Sequence, residues 1–324
     1  MTSARPAAAV ERIHPYRGYL YIACSAVLWG ISASLGRAAF TGKLLPSSGI
    51  SRVDPLILSQ ARTTFSFLAV LVGLVITRGL ARLRMPWSDL GRAAALGLAG
   101  VAASNYFYYL AIQRTNVATA IIIQYTAPIW VLLYMVLRKL ERATLPKMIA
   151  VALAIFGIAF VIGVFGQGQL RLDSVGVAAA VVAAFSFSFY NILGHSILAR
   201  YDRWTVLLFT TLSASVFWIF LNSPWKIAAA HYTGVAWGFL FLFSLLSVLL
   251  PFTFYFAGLQ HLSPTKAIVV SCLEPVFTIL IAAAALHESV RPLQAIGMGM
   301  VLSAIMVVQR PVAGDKTQLM EPVD

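Results

Sequence analysis

The chain of 324 residues is 60% hydrophobic and only 11% charged. A soluble domain typically carries about 25% charged residues, so this composition excludes an ordinary soluble protein and indicates an integral membrane protein. The net charge of +13 does not indicate a nucleic-acid partner, because the cations lie in short connections between apolar runs and no basic block is interleaved with aromatic residues.

Apolar runs long enough to cross a bilayer, about 20 residues each, recur ten times along the chain. The first run follows a basic tail, but it is too long for the apolar part of a signal peptide, so we interpret it as a retained span. The ten predicted spans are centred near Leu28, Phe67, Gly100, Pro128, Gly157, Phe185, Thr211, Leu245, Leu273 and Met300.

The positions of lysine and arginine predict the orientation of these spans. Most of the 24 cations fall on one side of the membrane if the amino terminus is cytoplasmic, which is the asymmetry expected of cytoplasmic loops. We therefore expect a multi-pass membrane protein with both termini in the cytoplasm. The tails would be residues 1–17 and 311–324, and two five-span units would occupy residues 18–166 and 174–310.

A repeated segment relates the two units. The stretch YYLAIQRTNVATAIIIQYTAP, which begins at Tyr108, aligns without a gap with YFAGLQHLSPTKAIVVSCLEP, which begins at Tyr255. Because each unit has an odd number of spans, the second enters the membrane from the opposite side. The predicted fold is an all-α integral membrane protein with ten transmembrane helices in two inverted five-helix repeats. Identical residues recur 147 positions apart at Gln113 and Gln260, Ala120 and Ala267, Pro128 and Pro275, and Glu141 and Glu288.

This pair of segments, each with a mid-helix proline and a glutamate thirteen residues later, resembles the EamA-type transporters of the drug/metabolite transporter superfamily. Within that family the chain is most similar to bacterial aromatic amino acid exporters, which implies a location in the bacterial inner membrane. The resemblance implies a secondary transporter that exports small amphipathic metabolites, including amino acids, by alternating access around a central cavity between the two repeats. Only the second segment has a carboxylate before its proline, since Glu274 precedes Pro275 whereas Ala127 precedes Pro128.

Glu274 is the only carboxylate predicted to lie well inside a span, and Arg62 and Arg37 are the cations predicted there. A charged side chain near the bilayer centre costs at least about 2.5 kcal/mol, so these residues are expected to face the protein interior. Two interpretations stay open. In the first, Glu274 and an arginine compensate each other and fix the helix packing. In the second, Glu274 binds a substrate ammonium or a proton while Arg62 lies near a substrate carboxylate.

Other polar and aromatic side chains deep in the spans are candidates to line the cavity. Ser271 and Glu274 are three residues apart and therefore share one helical face. Aromatic residues either line a cavity or anchor the protein at the membrane interface, and the sequence does not separate the two roles. The predicted substrate-binding residues are Trp29, Arg62, Asn105, Gln124, Tyr125, Tyr190, Ser271 and Glu274.

Three prolines inside spans, Pro128, Pro251 and Pro275, are predicted hinges. Each removes the N–H donor for the carbonyl four residues earlier, and in a membrane that carbonyl needs a partner from another helix or from water. Each of these carbonyls belongs to a polar residue. We therefore expect polar points in the interior at which the helices can bend.

No cofactor and no metal are expected, because the five histidines are scattered without metal-ligand spacing. A single intramembrane carboxylate does not suit a lipid-modifying enzyme that holds Mg²⁺, so we expect a transporter rather than an enzyme. The alternative is a transporter of nucleotide sugars or phosphorylated metabolites, which would call for more converging cations. The expected partners are a small-molecule substrate and the lipid bilayer. A monomer is compatible with the sequence, because the small residues in the spans can pack inside one chain.

Overall fold

The computed structural model describes residues 14–41, 53–79, 85–164, 170, 172–286 and 289–310, and every regular element in them is helical. Nine helical segments of this part are long and apolar enough to cross a membrane, and a shorter apolar helix, Leu145–Val161, accounts for the tenth span. The all-α prediction with ten spans is confirmed. The predicted tails lie almost wholly outside the described residues.

Spans 1 to 5 form the first half. Span 3 contains a π-helical turn, Leu96–Ala102, and span 4 is broken at Tyr125 and Thr126. The helices are α1 (Pro15–Thr41), α2 (Pro55–Arg78), α3 (Trp87–Ala95) and α4 (Ala103–Arg114) around the π-helical turn, α5 (Val117–Gln124) and α6 (Ala127–Leu137) around the break, and α7 (Leu145–Val161).

Spans 6 to 10 repeat this pattern. Span 8 contains a second π-helical turn, Leu245–Leu249, and span 9 is broken at Cys272. The helices are α8 (Ser174–Leu198), α9 (Arg203–Leu221), the short α10 (Pro224–Ala229), α11 (Gly234–Ser244) and α12 (Leu250–Leu259) around the π-helical turn, α13 (Pro264–Ser271) and α14 (Leu273–Leu286) around the break, and α15 (Pro292–Gln309).

Polar side chains begin several of these helices. Asp54 Oδ1 accepts a hydrogen bond from the backbone N–H of Leu56 at 2.8 Å, and Asn116 Oδ1 accepts one from the N–H of Thr119 at 2.8 Å. Such caps satisfy N–H groups that have no partner in the first turn. The cap matters more beside a bilayer than in water, because the hydrocarbon offers no substitute acceptor.

Residues 147 positions apart make equivalent contacts in the two halves. Ser66 Oγ donates to the Ser244 carbonyl at 3.1 Å. The counterparts of these residues are Ser213 and Gly97, and a Cβ built on Gly97 would lie 1.9 Å from Ser213 Oγ. The predicted two repeats are therefore present. Because each contains five spans, the equivalent helices cross the membrane in opposite directions.

The helices do not pack by sequence half. α1 packs along α12, α13 and α14, whereas α8 packs along α4, α5, α6 and the first π-helical turn. We call spans 1, 8 and 9 bundle A and spans 3, 4 and 6 bundle B. Each bundle mixes both halves of the chain. The two packing units therefore do not coincide with the two sequence repeats.

Counterpart helices pair directly at two places, α2 with α9 and α7 with α15. In the second pair the backbones nearly touch, because a Cβ built on Gly297 would lie 2.5 Å from the carbonyl oxygen of Gly157. Glycine permits this approach, which gains van der Waals contact that lipid cannot supply. These small residues are thus used within one chain, and the monomeric state stays a prediction.

Candidate functional site

The Tyr125–Glu274 pair lies where the breaks of spans 4 and 9 meet. Tyr125 is the first residue of the break in span 4, and Glu274 is the second residue of α14. The Tyr125 hydroxyl donates to Glu274 Oε2 at 3.0 Å. Tyr125 is buried and Glu274 is half-buried, so part of the glutamate side chain stays accessible. The bond joins bundle B to bundle A near mid-depth.

A second polar pair lies between spans 2 and 3. Arg62 Nη2 donates to Asn105 Oδ1, and Asn105 Nδ2 donates to the Val101 carbonyl at 2.7 Å. Val101 belongs to the first π-helical turn, an irregularity that is frequent at functional sites. The turn holds the Asn105 amide, and the amide in turn orients the Arg62 guanidinium. Arg62 and Asn105 are both half-buried.

Arg62 and Glu274 interact electrostatically without forming an ion pair. The ion pairs found among the described residues involve neither side chain. Each charge has a neutral hydrogen-bond partner instead. This arrangement places a guanidinium and a carboxyl group in one region of the interior without joining them. The other predicted intramembrane cation, the side chain of Arg37, lies outside the described residues.

Two predicted aromatic residues belong to a packed cluster, which we call the closed-side cluster. Ring centroids lie 5.3 Å apart for Trp29 and Tyr255, and 5.6 Å apart for Tyr190 and Tyr255. Tyr190 is 2% exposed and Tyr255 is 0% exposed, whereas Trp29 and Phe252 are half-buried. A contact of Trp29 or Tyr190 with a solute stays a prediction. Its members are Trp29, Tyr190, Phe252, Tyr255 and Phe256.

Two residues of this region were missed by the sequence analysis. The Tyr255 hydroxyl donates to Asn191 Oδ1, and both side chains are fully buried. The bond joins α12 of bundle A to α8 of bundle B. The sequence carried one usable signal, since an asparagine in the interior of an apolar span must find a hydrogen-bond partner.

The remaining predicted side chains occupy less central positions. Ser271 is buried, and its hydroxyl donates to the Ile268 carbonyl of its own helix at 2.8 Å. Gln124 Nε2 lies 3.5 Å from Ser104 Oγ, at the limit of a hydrogen bond, and the glutamine is half-buried. The structure thus brings together Arg62, Asn105, Tyr125 and Glu274, whereas the Ser271 hydroxyl bonds within its own helix.

Each predicted hinge proline coincides with irregular backbone. Pro128 and Pro275 lie in the first turns of α6 and α14, directly after the breaks of spans 4 and 9. Pro251 is the second residue of α12 and follows the π-helical turn Leu245–Leu249. Interruptions of this kind are where helices bend. Movement at these positions stays a prediction.

The two bundles pack against each other on one side of the membrane only. There α6 contacts α13, with Ile268 against Ala127, Val131 and Met135, and α8 contacts α12. The equivalent pairs on the other side, α5 with α14 and α1 with α4, make at most marginal contact within the described residues. We call the packed side, where α2 ends, the closed side. The other, where α4 ends, is the open side.

We call the space between the two bundles on the open side, where they make at most marginal contact within the described residues, the vestibule. Arg62 and Asn105 lie toward the open side, Glu274 and Tyr125 lie near mid-depth, and the closed-side cluster forms the floor beneath them. Two surface clefts lie elsewhere, one along α4 and α8 and one beside Arg78 and Asp202, and neither is lined by a predicted site residue.

Known proteins resemble the chain over nearly its whole length. The profile of the EamA-like transporter family matches residues 16–163 and again residues 174–310. The "Uncharacterized inner membrane transporter YicL" of Salmonella typhimurium is 21% identical over 297 residues, which cover 90% of this chain and 95% of that protein. A solved crystal structure has the same fold, with a TM-score of 0.71 at 20% identity over 90% of this chain and 95% of its own.

One relative carries a substrate in its name. The "Threonine/homoserine exporter RhtA" of Escherichia coli is 25% identical over 203 residues. The matched region covers 62% of this chain and 65% of the exporter. These relatives are named as transporters, in agreement with the expectation that the chain is not an enzyme. An aromatic specificity is not among the names.

Proposed function

Because the chain belongs to the EamA-like transporter family, we propose that it is a secondary transporter that exports small amphipathic metabolites, amino acids among them, by alternating access. The observation that carries the proposal is the one-sided vestibule with an unpaired cation and an unpaired anion on its walls. An internal solute site between inverted repeats, exposed to one side at a time, is what a transporter of this architecture needs.

The two charges suit the two ends of an amino acid. Arg62 binds the substrate carboxylate, because a guanidinium offers paired donors that match carboxylate geometry. Glu274 binds the ammonium group, and the Tyr125 hydroxyl keeps the carboxylate oriented when the site is empty. Zwitterion binding also explains why the protein keeps two costly charges at mid-depth without joining them.

The open side faces the outside of the cell in this proposal. The cation distribution favours cytoplasmic termini, and the closed side carries the start of α1 and the end of α15. The state described here is then open outward, with the cytoplasmic side sealed by the closed-side cluster. A location in the inner membrane is supported by the name of the Salmonella relative.

Transport into proteoliposomes tests the proposal directly. A panel of amino acids, beginning with threonine and homoserine and continuing with aromatic ones, is measured with and without an imposed pH gradient. We expect saturable uptake of at least one amino acid. Phosphorylated solutes should not compete for it. Competition by them would favour the alternative class of nucleotide-sugar or phosphorylated-metabolite transporters.

Two variants test the assigned residues. A hydrogen bond to a charged group contributes about 1.5–3 kcal/mol, so Glu274→Gln and Arg62→Gln should each lower uptake at low substrate roughly ten- to hundredfold. Arg138→Gln, at an exposed position after α6, is the matched control and should transport normally. Normal transport by both site variants, in protein that elutes like the wild type, would refute these roles.

A further inference from the structure

The correspondence between the two repeats extends to α1 and α8. A Cβ built on Gly18 of α1 would meet His261 and Leu262, and one built on Gly176 of α8 would meet Arg114 and Thr115. His261 and Leu262 are the counterparts of Arg114 and Thr115 at the separation of 147 residues. Gly18 and Gly176 are therefore equivalent, and residues of α1 correspond to those of α8 at a separation of 158.

On the closed side, α8 and α12 are in tight contact. A Cβ built on Gly194 would lie 3.6 Å from Leu259 Cδ1 and 3.8 Å from Phe256 Cε1. One turn away, Asn191 accepts the hydrogen bond from the Tyr255 hydroxyl. Tyr255, Phe256 and Asn191 are each 0% exposed. These contacts seal bundle A against bundle B.

The equivalent residues on the open side are apart. Gly36, the counterpart of Gly194, is buried, but among the described residues a Cβ built on it would meet Phe243 at 3.6 Å and no atom of α4 within 4 Å. Ala33, the counterpart of the fully buried Asn191, is exposed. Tyr108 and Tyr109, the counterparts of Tyr255 and Phe256, are half-exposed. The same surfaces exist on both sides, but only one pair is joined.

We propose that Tyr108, Tyr109 and Ile112 form the gate of the open side. In the second state they pack on α1 at Ala33 and Gly36, as Tyr255, Phe256 and Leu259 now pack on α8 at Asn191 and Gly194. Closing one side while opening the other exchanges equivalent apolar contacts, so the two states can be close in free energy. The gate goes beyond the proposed function, because it makes no claim about the substrate.

One difference between the two interfaces explains which state is described here. Ala33 has no side-chain acceptor, so Tyr108 cannot form the hydrogen bond that Tyr255 forms with Asn191. The closed side therefore has one more buried hydrogen bond than the open-side gate would have. In this proposal, the state with the open side open is therefore the more stable of the two.

Paired cysteines test the gate in the full-length protein. In a background with Cys24→Ala and Cys272→Ala, the open-side pair is Gly36→Cys with Ile112→Cys. The matched closed-side pair is Gly194→Cys with Leu259→Cys. A short, reducible bifunctional thiol reagent is applied to proteoliposomes, first without solute and then with threonine as the probe.

We expect the closed-side pair to crosslink quickly and the open-side pair to crosslink slowly, each product stopping uptake until it is reduced. An open-side pair that gives no product in either condition overturns the proposal when the closed-side pair reacts and both proteins elute normally. Rapid crosslinking of both sides in the same molecules, in a variant carrying all four cysteines, also overturns it.

A second measurement covers the case in which the paired variants fold poorly. Ala33→Cys, at an exposed position, should react with a membrane-impermeant thiol reagent and become protected when the open side is held closed. Val175→Cys, exposed at the start of α8, should react at the same rate throughout. If turnover does not protect the cysteine at position 33, the gate is contradicted.

Failure of the gate can be told from failure of the proposed function. If both cysteine pairs crosslink, but never at the same time, and no amino acid is taken up, the gate is supported and the substrate class is refuted. Uptake of amino acids by a protein whose open-side pair never reacts supports the proposed function and refutes the gate.

Discussion

The breaks in spans 4 and 9 have the same geometry and different chemistry. Each interrupts its span at equivalent positions, just before a proline in the first turn of the next helix. Where span 4 has Tyr125 and Ala127, however, span 9 has Cys272 and Glu274. Backbone features that the fold needs are therefore duplicated, while the polar groups that a solute would contact occur once.

The same contrast holds for the second polar pair. The counterparts of Arg62 and Asn105 are Phe209 and Phe252. Phe252 belongs to the closed-side cluster, whereas Asn105 lies on the wall of the vestibule. The pseudo-two-fold axis thus relates a polar wall to an aromatic floor. An amphipathic solute is suited to a site with this asymmetry, because its charged end and its apolar end need different surroundings.

Adding a carboxylate at the break of span 4 should have the largest effect of these variants, a loss of stability. Ala127 is 0% exposed and contacts α13, so Ala127→Glu would bury a charge without a partner. A cost of about 3 kcal/mol or more is expected, a large part of the roughly 5–15 kcal/mol that stabilise a folded protein. Thermal unfolding in detergent should show a strong loss of stability. Ala33→Glu, at an exposed position of the vestibule, is the control. Equal melting temperatures for the wild type and the two variants would contradict the difference between the two breaks.

A carboxylate introduced at position 105 tests whether Arg62 binds the carboxylate of the substrate. In Asn105→Asp the new carboxylate pairs with Arg62 and competes with the carboxylate of the substrate. The substrate concentration that gives half-maximal uptake should rise roughly ten- to hundredfold. Asn105→Ser, which keeps a small neutral side chain, should have a weaker effect. An unchanged half-saturating concentration in the aspartate variant would exclude Arg62 as the carboxylate ligand.

Removing the Tyr125 hydroxyl tests the bond between the two breaks. Tyr125→Phe keeps the ring and deletes the donor to Glu274, so the carboxylate loses orientation but not charge. We expect uptake to fall less than in Glu274→Gln, by roughly a factor of ten at most. Tyr134→Phe, on the same span, is the control and should behave as the wild type. A loss equal to that of Glu274→Gln would mean that the tyrosine itself contacts the solute.

Adding an acceptor to α1 should make the open and closed sides more alike. In Ala33→Asn the new amide can accept a hydrogen bond from Tyr108, as Asn191 accepts one from Tyr255. A buried hydrogen bond contributes about 1 kcal/mol, so the population with the open side closed should rise roughly fivefold. The yield of the crosslink between cysteines at positions 36 and 112 measures this shift. Asn191→Ala should move the population in the same direction, and opposite shifts in the two variants would contradict the exchange.

Much of the fold follows from local features of the sequence. The ten spans, the repeat and the interruption of spans 4 and 9 were predictable, because apolar length, periodic identity and proline act over short stretches. Glu274 and Arg62 were predictable as site candidates because charges inside a span are costly wherever they point. The π-helical turn Leu96–Ala102 carried no such signal, because no proline lies in or just after it, whereas Pro251 marked the turn Leu245–Leu249.

The sequence by itself determined an all-helical membrane protein of two inverted repeats with charges at mid-depth. Only the tertiary structure decided that Arg62 meets Asn105, that Tyr190 joins the closed-side cluster, and that the packed bundles mix both halves. The physical reason is that hydrophobicity sets where a helix crosses the membrane, whereas its rotation and neighbours depend on packing along the whole surface. Which side stands open depends further on a balance between two nearly equivalent interfaces, and no single segment of the chain contains both.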